Sequence, residues 1–517
     1  MKQSNLILPA MTWKQRIAAL IPCLPYLGKR ITRLLVLLML VFCGWSYPAA
    51  AQEAVTTTNA PTETTENAPA TSGATTPPAS QVPQPEPLNL PPIPEKFVHP
   101  GLLNNMEELQ SIKKKIAAGE EPWKTAFEAM KNSKWADLKH RSKPLETMVG
   151  DANTAGDKNC DALVAYTQTL MWIFTDNEQY AQSAMVILNG WSIQKNTEPN
   201  SWCLLATPAV FAEAAELLRA TYPKWQPEDI AKFSAMLNRV YLPILHNRMV
   251  YGGKEFDTIY AMMAIGVFND DRGAFDEALS HFVSYLPCFI YLKEDGPTPK
   301  ISNYWLSTPS DAELAKMDAS LFPNPADAWF SVKQTDVEDT NLLESADLDR
   351  LWSNAMPQAY IDGLCAVMFS TKGGMTQCDG AFVSLSHALE IAWHQGVDLY
   401  TPNTKRITSF MELYSHLRLR MDDTIPLAFY GVSPGPMNGT WEVAYNHYHN
   451  RKGLDLPWTR ELLDKAIRPC ITETPVTTAW WTYVHSAPTG LRASQILYPA
   501  LGNCAWETLT HGELDKH

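Results

Sequence analysis

Cysteine is scarce in this 517-residue chain, with nine in all and no C-x-x-C pair. Seven of them, Cys160, Cys203, Cys288, Cys365, Cys378, Cys470 and Cys504, are scattered beyond the first 51 residues. That spread excludes a zinc ribbon and a dense disulfide scaffold, and leaves room for one or two bridges in an oxidising compartment. Positive charge is also short. The formal net charge is −13, and −19 without residues 1–51, which carry six cations and no acid. Such a surface repels nucleic acid and anionic lipid, and an acidic polymer would need a local cluster of cations. Alternating strand patterns are few beyond a short possibility around Thr477–Val484, so the body should be mainly α. There is no zinc or calcium motif, no nucleophile elbow and no Gly-Lys-Ser phosphate loop. Nothing in the sequence therefore requires a metal or cofactor.

Long apolar runs are missing too. The longest near the N-terminus, Leu34–Cys43, is too short to cross a bilayer comfortably. Six cations precede it and Ala49-Ala50-Ala51 follows it, the pattern of a signal peptide over residues 1–51. Export to the periplasm or beyond is the expectation, with no stable membrane insertion after cleavage. Residues 52–94 are rich in Thr, Ala, Pro and Glu and carry no positive charge. They offer too little apolar surface to offset the entropy of ordering, which predicts a disordered spacer. A single folded body should occupy 95–517.

Within that body the periodicity is helical. Hairpins are predicted at Met106–Ala117 with Pro122–Lys131, at Cys160–Thr175 with Gln179–Trp191, at Pro208–Tyr222 with Pro227–Leu245, and at Phe256–Val267 with Arg272–Leu286. Proline-rich residues 287–350 read as a long insertion, placed over a cleft. Helices resume at Leu351–Met368, at Ala381–Gln395 with Asp379 as N-cap and Gly396 as stop, at Thr404–Met421 and at Thr459–Ile467. Repeated hairpins without heptads suggest either an α/α toroid, an incomplete barrel with a central cleft, or an open solenoid.

One late stretch concentrates polar chemistry, Gly439-Thr-Trp-Glu-Val-Ala-Tyr-Asn-His-Tyr-His-Asn-Arg451. On a helix, Trp441, Tyr445, Tyr448 and His449 fall within reach of one another, while Asn446 and Arg451 point elsewhere. The stripe would either line a sugar cleft or form a buried aromatic face with its polar tips satisfied.

His99-Pro-Gly-Leu-Leu103, Glu121-Pro-Trp123, Ala261-Met-Met-Ala-Ile-Gly-Val-Phe268, Glu390-Ile-Ala-Trp393, Gln395-Gly-Val-Asp-Leu-Tyr400 and Trp441-Glu-Val-Ala-Tyr-Asn-His-Tyr448 occur in one order. Together these blocks resemble secreted proteins of the alginate-lyase domain family over roughly residues 97–510. The resemblance implies an α/α toroid and β-elimination on a uronate polysaccharide of the alginate or glucuronan type. Gly373-Gly-Met-Thr-Gln-Cys378 stands where such proteins often show Arg-Asp-Gln-x-His-Thr, so Gln377 falls near the usual His.

Eliminating across C4 and C5 of a uronate needs a donor to hold the carboxylate, a base for the C5 proton and an acid for the leaving oxygen. The expected catalytic residues are Tyr448 as acid, or as both acid and base, with His447 or Tyr445 assisting as base. The expected binding residues are Asn446, Arg451, Gln377, Trp441 and Arg418, with no metal. Arg418, Arg420, Lys405 and Arg406 would supply local positive charge, or else form a solvated helix face. Two other functions are open: a catalytically silent relative that binds an acidic glycan or a protein, and an inverting hydrolase pairing Asp257 with Glu442.

Overall fold

The computed structural model describes residues 90–148, 152–197, 207–246, 254–297, 299–300, 361–366, 374–419, 441–468 and 506–512. All of them fall in the second of two units into which the chain divides, Gln84–His517. The predicted signal peptide, most of the spacer and the possible strand at 477–484 lie outside the described residues.

Fourteen helices are described: α1 Met106–Ala118, α2 Trp123–Lys131, α3 Ala152–Thr175, α4 Glu178–Trp191, α5 Thr207–Thr221, α6 Pro227–Met236, α7 Leu242–His246, α8 Lys254–Phe268, α9 Arg272–Phe289, α10 Gly374–His394, α11 Thr404–Leu419, α12 Glu442–Tyr445, α13 Pro457–Leu462 and α14 Glu507–His511. A π-helical turn, Asn446–Arg451, prolongs α12. The described strands are two residues each, Thr147–Met148 and Asn196–Thr197, paired in parallel. No helix among the described residues is long and apolar enough to cross a membrane.

The helices sort into two layers by composition. In α5 every residue from Thr207 to Leu218 is buried, and α8 is buried from Phe256 to Phe268 but for Asp257. A helix that is buried all round belongs inside a body, whereas one with a single apolar stripe covers it. The packing bears this out: α3 lies on α5, α5 on α8, α8 on α10, α10 on α12 and α12 on α14. Helix α14 then packs on α1 and α2, and α1 returns to α3, which closes a ring. Outside it, α4 covers α3 and α5, and α9 covers α8. The protein is an α/α toroid.

Short turns join each inner helix to the outer helix that follows, which forces the two to run antiparallel. Four of these turns contain a left-handed residue that stops the inner helix: Asp176 at φ 56, Asp270 at φ 55, Gly396 at φ 78 and Gly453 at φ 74. Asn177 and Asp271 then cap the outer helices α4 and α9 through their side chains. The turns therefore gather at one end of the ring. Helix α1 is entered from this end; the N-termini of α3, α5, α8, α10, α12 and α14 lie at the other, and the connections that enter those six fall outside the described residues.

The end with the turns is closed by an extended segment, Phe97–Asn104. Val98 N–H donates to Gln395 Oε1 at 2.8 Å, and Gln395 Nε2 donates to the carbonyls of Val98 and Gly101. His394 meets the Leu102 carbonyl at 2.7 Å and His511 the Leu103 carbonyl at 3.0 Å. A Cβ at Gly101 would strike the Val98 carbonyl and the Gln395 amide, so this residue has to be glycine. Leu102 and Leu103 are 1% exposed, and burying each stabilises the plug by about 1.5–3 kcal/mol.

Two sequence expectations are corrected. Helix α10 begins at Gly374, and Asp379 lies inside it instead of capping it. The helix predicted over Leu351–Met368 is absent from its described part: Gly363 sits at φ +85, and residues 361–366 pair with 289–292 through Tyr291 N–H to Leu364 O and Gly363 N–H to Tyr291 O. Both roots of the long insertion thus lie side by side against α11. Arg406 donates to Ile290 O and pairs with Asp295, and a Cβ at Gly363 would run into the Ser409 carbonyl. A disulfide, Cys365–Cys378, ties this strip to the first turns of α10, while Cys288 is free and buried.

Candidate functional site

The chemically dense stretch is threaded lengthwise through the ring. It enters α12 at Trp441, on the end that receives the inner helices, and leaves the π turn at Arg451, beside the plug. Ten residues at helical rise separate the two by roughly 15 Å. The predicted constellation is therefore split, because a helix cannot present both of its ends to one cleft.

At the closed end, Arg451 reaches Glu108 of α1 at 3.0 Å and Glu390 of α10 at 2.8 Å. His394 adds Nε2 at 3.1 Å from Glu108, while its Nδ1 faces the Leu102 carbonyl. With both nitrogens facing acceptors, His394 is an imidazolium, and the four side chains form a neutral set of two acids and two cations. Burial would raise the Glu108 carboxyl, but His394 and Arg451 bring it down to about 2. Burial likewise opposes ionisation of Glu390, which Arg451 and His394 hold below its ordinary value. Glu108, Glu390 and His394 have ligand atoms within 4.8 Å of one another. The Arg451 guanidinium already neutralises that group, so its donors are committed to protein cations. Arg451, expected to grip a substrate carboxylate, is paired instead with two of the protein's own carboxylates.

The neighbouring side chains are equally committed to the interior. Tyr448 is 1% exposed and its hydroxyl donates to the Tyr400 carbonyl at 3.1 Å. His447 lies flat on Tyr400, ring centres 3.6 Å apart, with Trp393 at its edge. Neither of its ring nitrogens has a hydrogen-bond partner, and burial lowers its pKa to about 4. Asn446 accepts from Asn450 at 3.1 Å. All three are core groups of the closed half, which corrects their expected place in a cleft.

Tyr445 stands one turn in from the opposite end and, like Tyr448, is 1% exposed. Its ring stacks on His449 at 4.7 Å, Arg468 lies 5.9 Å above it, and burial pushes its hydroxyl up to about 12. Trp441, expected to stack on sugar, is 1% exposed and packed by Phe382, Phe410 and Tyr414. Its indole N–H donates to Asp379 at 2.7 Å. Trp441 nevertheless holds φ 63, a left-handed conformation that a bulky residue keeps only when its surroundings fix it, at a cost of about 1–3 kcal/mol.

Arg418, near the C-terminus of α11, reaches the same end and is 4% exposed. It opposes the upward shift that burial and Asp379 impose on Tyr414. Gln377 lies in the first turns of α10 next to the disulfide, and its side chain is outside the described residues. Of the other cations expected to add local charge, Lys405 pairs with Glu294 and Arg406 with Asp295 on the outer wall. Arg420 is outside the described residues.

The same end holds acids. Asp257 is half-buried and accepts from Ser384. Glu442 is fully buried, bound by Arg468 at 2.9 and 3.0 Å and by Thr508 at 3.0 Å. That engagement removes Glu442 as a free general acid opposite Asp257. Glu507 meets His387 at 2.8 Å. Asp379 escaped sequence analysis as a site residue because a helix N-cap explained it equally well. Its real partner is 62 positions away.

No family model matches the chain, and no curated protein matches it. Solved structures do. The crystal structure of alginate lyase A1-III from Sphingomonas species A1 superposes with a TM-score of 0.45 at 14% identity, over 80% of this chain and 99% of that one. Two single-substitution forms of that enzyme complexed with tetrasaccharide give TM-scores of 0.44 and 0.43 at 13% identity. Each covers 76% of this chain, and 100% and 98% of its own. The relationship is a distant structural one.

Proposed function

We propose that the protein is a polysaccharide lyase that takes a uronate polymer, of the alginate or glucuronan type, at the end of the ring where the inner helices begin. The observation that carries this is the asymmetry of the toroid: one end is plugged by Phe97–Asn104, and the other collects the inner-helix N-termini. Helix N-termini carry positive partial charge and unpaired N–H groups, which suits a sugar carboxylate on a body of otherwise strong negative charge. The ordered sequence blocks support the same class.

Arg418 and Gln377 are the proposed carboxylate-binding residues, because both elements that carry them reach that end. Arg418 would neutralise the uronate and so acidify C5. Tyr445 is the proposed proton donor to the departing 4-oxygen, being the one of the three predicted catalytic side chains on that half of α12 and its π turn, and the half-buried Asp257 carboxylate at the same end is the proposed acceptor of the C5 proton. Burial keeps its hydroxyl protonated at neutral pH. The hydrolase alternative loses support because Glu442 is bound by Arg468 and Thr508.

The test is incubation with alginate and glucuronan while following the ultraviolet absorbance of an unsaturated sugar end. Growth of that absorbance is expected. New reducing ends without it would replace the lyase by a hydrolase, and binding without either product would make the protein a silent glycan-binding relative.

A further inference from the structure

The plug holds the chain by three imidazoles, and one of them differs from the other two. His394 faces Glu108, Glu390 and Arg451, and His511 faces the Leu103 carbonyl together with Glu390, Glu108, Arg451 and Glu507; both are buried. His99 belongs to the plug itself and is 28% exposed. Its Nδ1 lies 2.7 Å from Glu216 of α5, and its Nε2 lies 3.2 Å from Asp270 in the turn between α8 and α9. Both nitrogens donate only in the imidazolium form.

We infer that Phe97–Leu103 is a pH-sensitive clasp on the closed end of the ring, shut by protonated His99 and hinged where Asn104 and Asn105 enter α1. A neutral imidazole would keep a lone pair aimed at one of the two carboxylates, losing that hydrogen bond and adding repulsion. The groups facing His99 are Glu216 and Arg219 from α5 and Asp270 from the turn. Arg219 opposes protonation from 3.2 Å, but it is itself held by Glu216 at 2.5 Å and by the Phe268 carbonyl at 2.9 Å. The Glu216 contact dominates and raises His99 above its ordinary 6.5. A raised histidine lends stability that is complete below its ordinary pKa and is lost as pH rises through the raised value. The clasp therefore loosens on the alkaline side. The Gln395 contacts and the packing of Phe97 on Phe275 at 5.2 Å do not titrate, and the other titratable groups against the segment, His394, His511 and the Glu213 carboxyl that accepts from Leu103 N–H at 3.4 Å, are buried, so these contacts limit the opening to the segment.

The experiment is hydrogen exchange on the full chain from mildly acidic to mildly alkaline pH, corrected for the intrinsic pH dependence of amide exchange. Protection of the Val98–Leu103 amides should fall about tenfold, the loss of one charge-assisted hydrogen bond, while α5 and α10 stay protected. Asp270→Asn, at an exposed position that leaves folding intact, should move the midpoint to lower pH. His99→Gln should remove the pH dependence. A flat profile, a midpoint unmoved by Asp270→Asn, or simultaneous loss of protection in α5 and α10 would each overturn the clasp.

Discussion

The two ends of the ring are built on opposite plans. The closed end spends its polar groups on one another: Arg451 and His394 against Glu108 and Glu390, Tyr448 on Tyr400, Gln395 on the plug. The other end brings in helix N-termini, a half-buried acid at Asp257, an arginine at Arg418 and a tryptophan held at φ 63. Side chains rich in chemistry are thus concentrated where the ring is most deeply ion-paired, although both His447 nitrogens there have no hydrogen-bond partner. Density of reactive residue types is a poor guide to a site when a single helix carries them from one end of a domain to the other.

The contrast can be broken most forcefully at Arg451. Replacing it with Met would leave two buried carboxylates facing one imidazolium, and should cost about 3–5 kcal/mol in urea unfolding. A loss below about 1 kcal/mol would mean that the network is not what closes this end. Next comes activity. Tyr445→Phe should reduce formation of unsaturated product by about 10²-fold or more, the range for loss of a general acid, with the unfolding midpoint little changed.

The histidine at the closed end sharpens the comparison through pH. Burial holds His447 neutral, with its pKa lowered from 6.5 to about 4. The unfolded chain binds that proton first, so its contribution is complete above 6.5 and is lost as pH falls toward 4. Thermal unfolding across that window should show a steeper acid loss for the native protein than for His447→Phe, and equal slopes would place His447 in contact with water. The smallest effect is expected at Tyr448. Tyr448→Phe gives up one neutral hydrogen bond, about 1 kcal/mol, and should leave product formation within about twofold. Abolished activity in a folded Tyr448→Phe protein would return the chemistry to the closed end.

Much of this fold was legible before any coordinates. The hairpin of Met106–Ala117 with Pro122–Lys131 and the helices Gln179–Trp191 and Arg272–Leu286 followed from apolar spacing, and Gly396 marked its helix end correctly. Repetition of such pairs left a toroid and an open solenoid, and the family resemblance implied the toroid. What periodicity does not carry is which end of a helix faces which cavity, since that depends on ring closure by α14 and on a plug contributed from 97–104. Trp441 and Asp379 show the same limit: the sequence gives each a sensible local role, and the 2.7 Å bond between them is a tertiary fact. Residues 351–368 read as a helix because their apolar spacing permits one. In the described part, 361–366, pairing with 289–292 and the left-handed Gly363 override that local preference.

The direct test of the two-ended account is hydrogen exchange with and without a saturating uronate oligosaccharide. New protection is expected in the first turns of α8, α10 and α12 and near Arg418, with none at 97–104 or 446–452. Protection confined to the plug and the π turn, with the inner-helix N-termini unchanged, would contradict it.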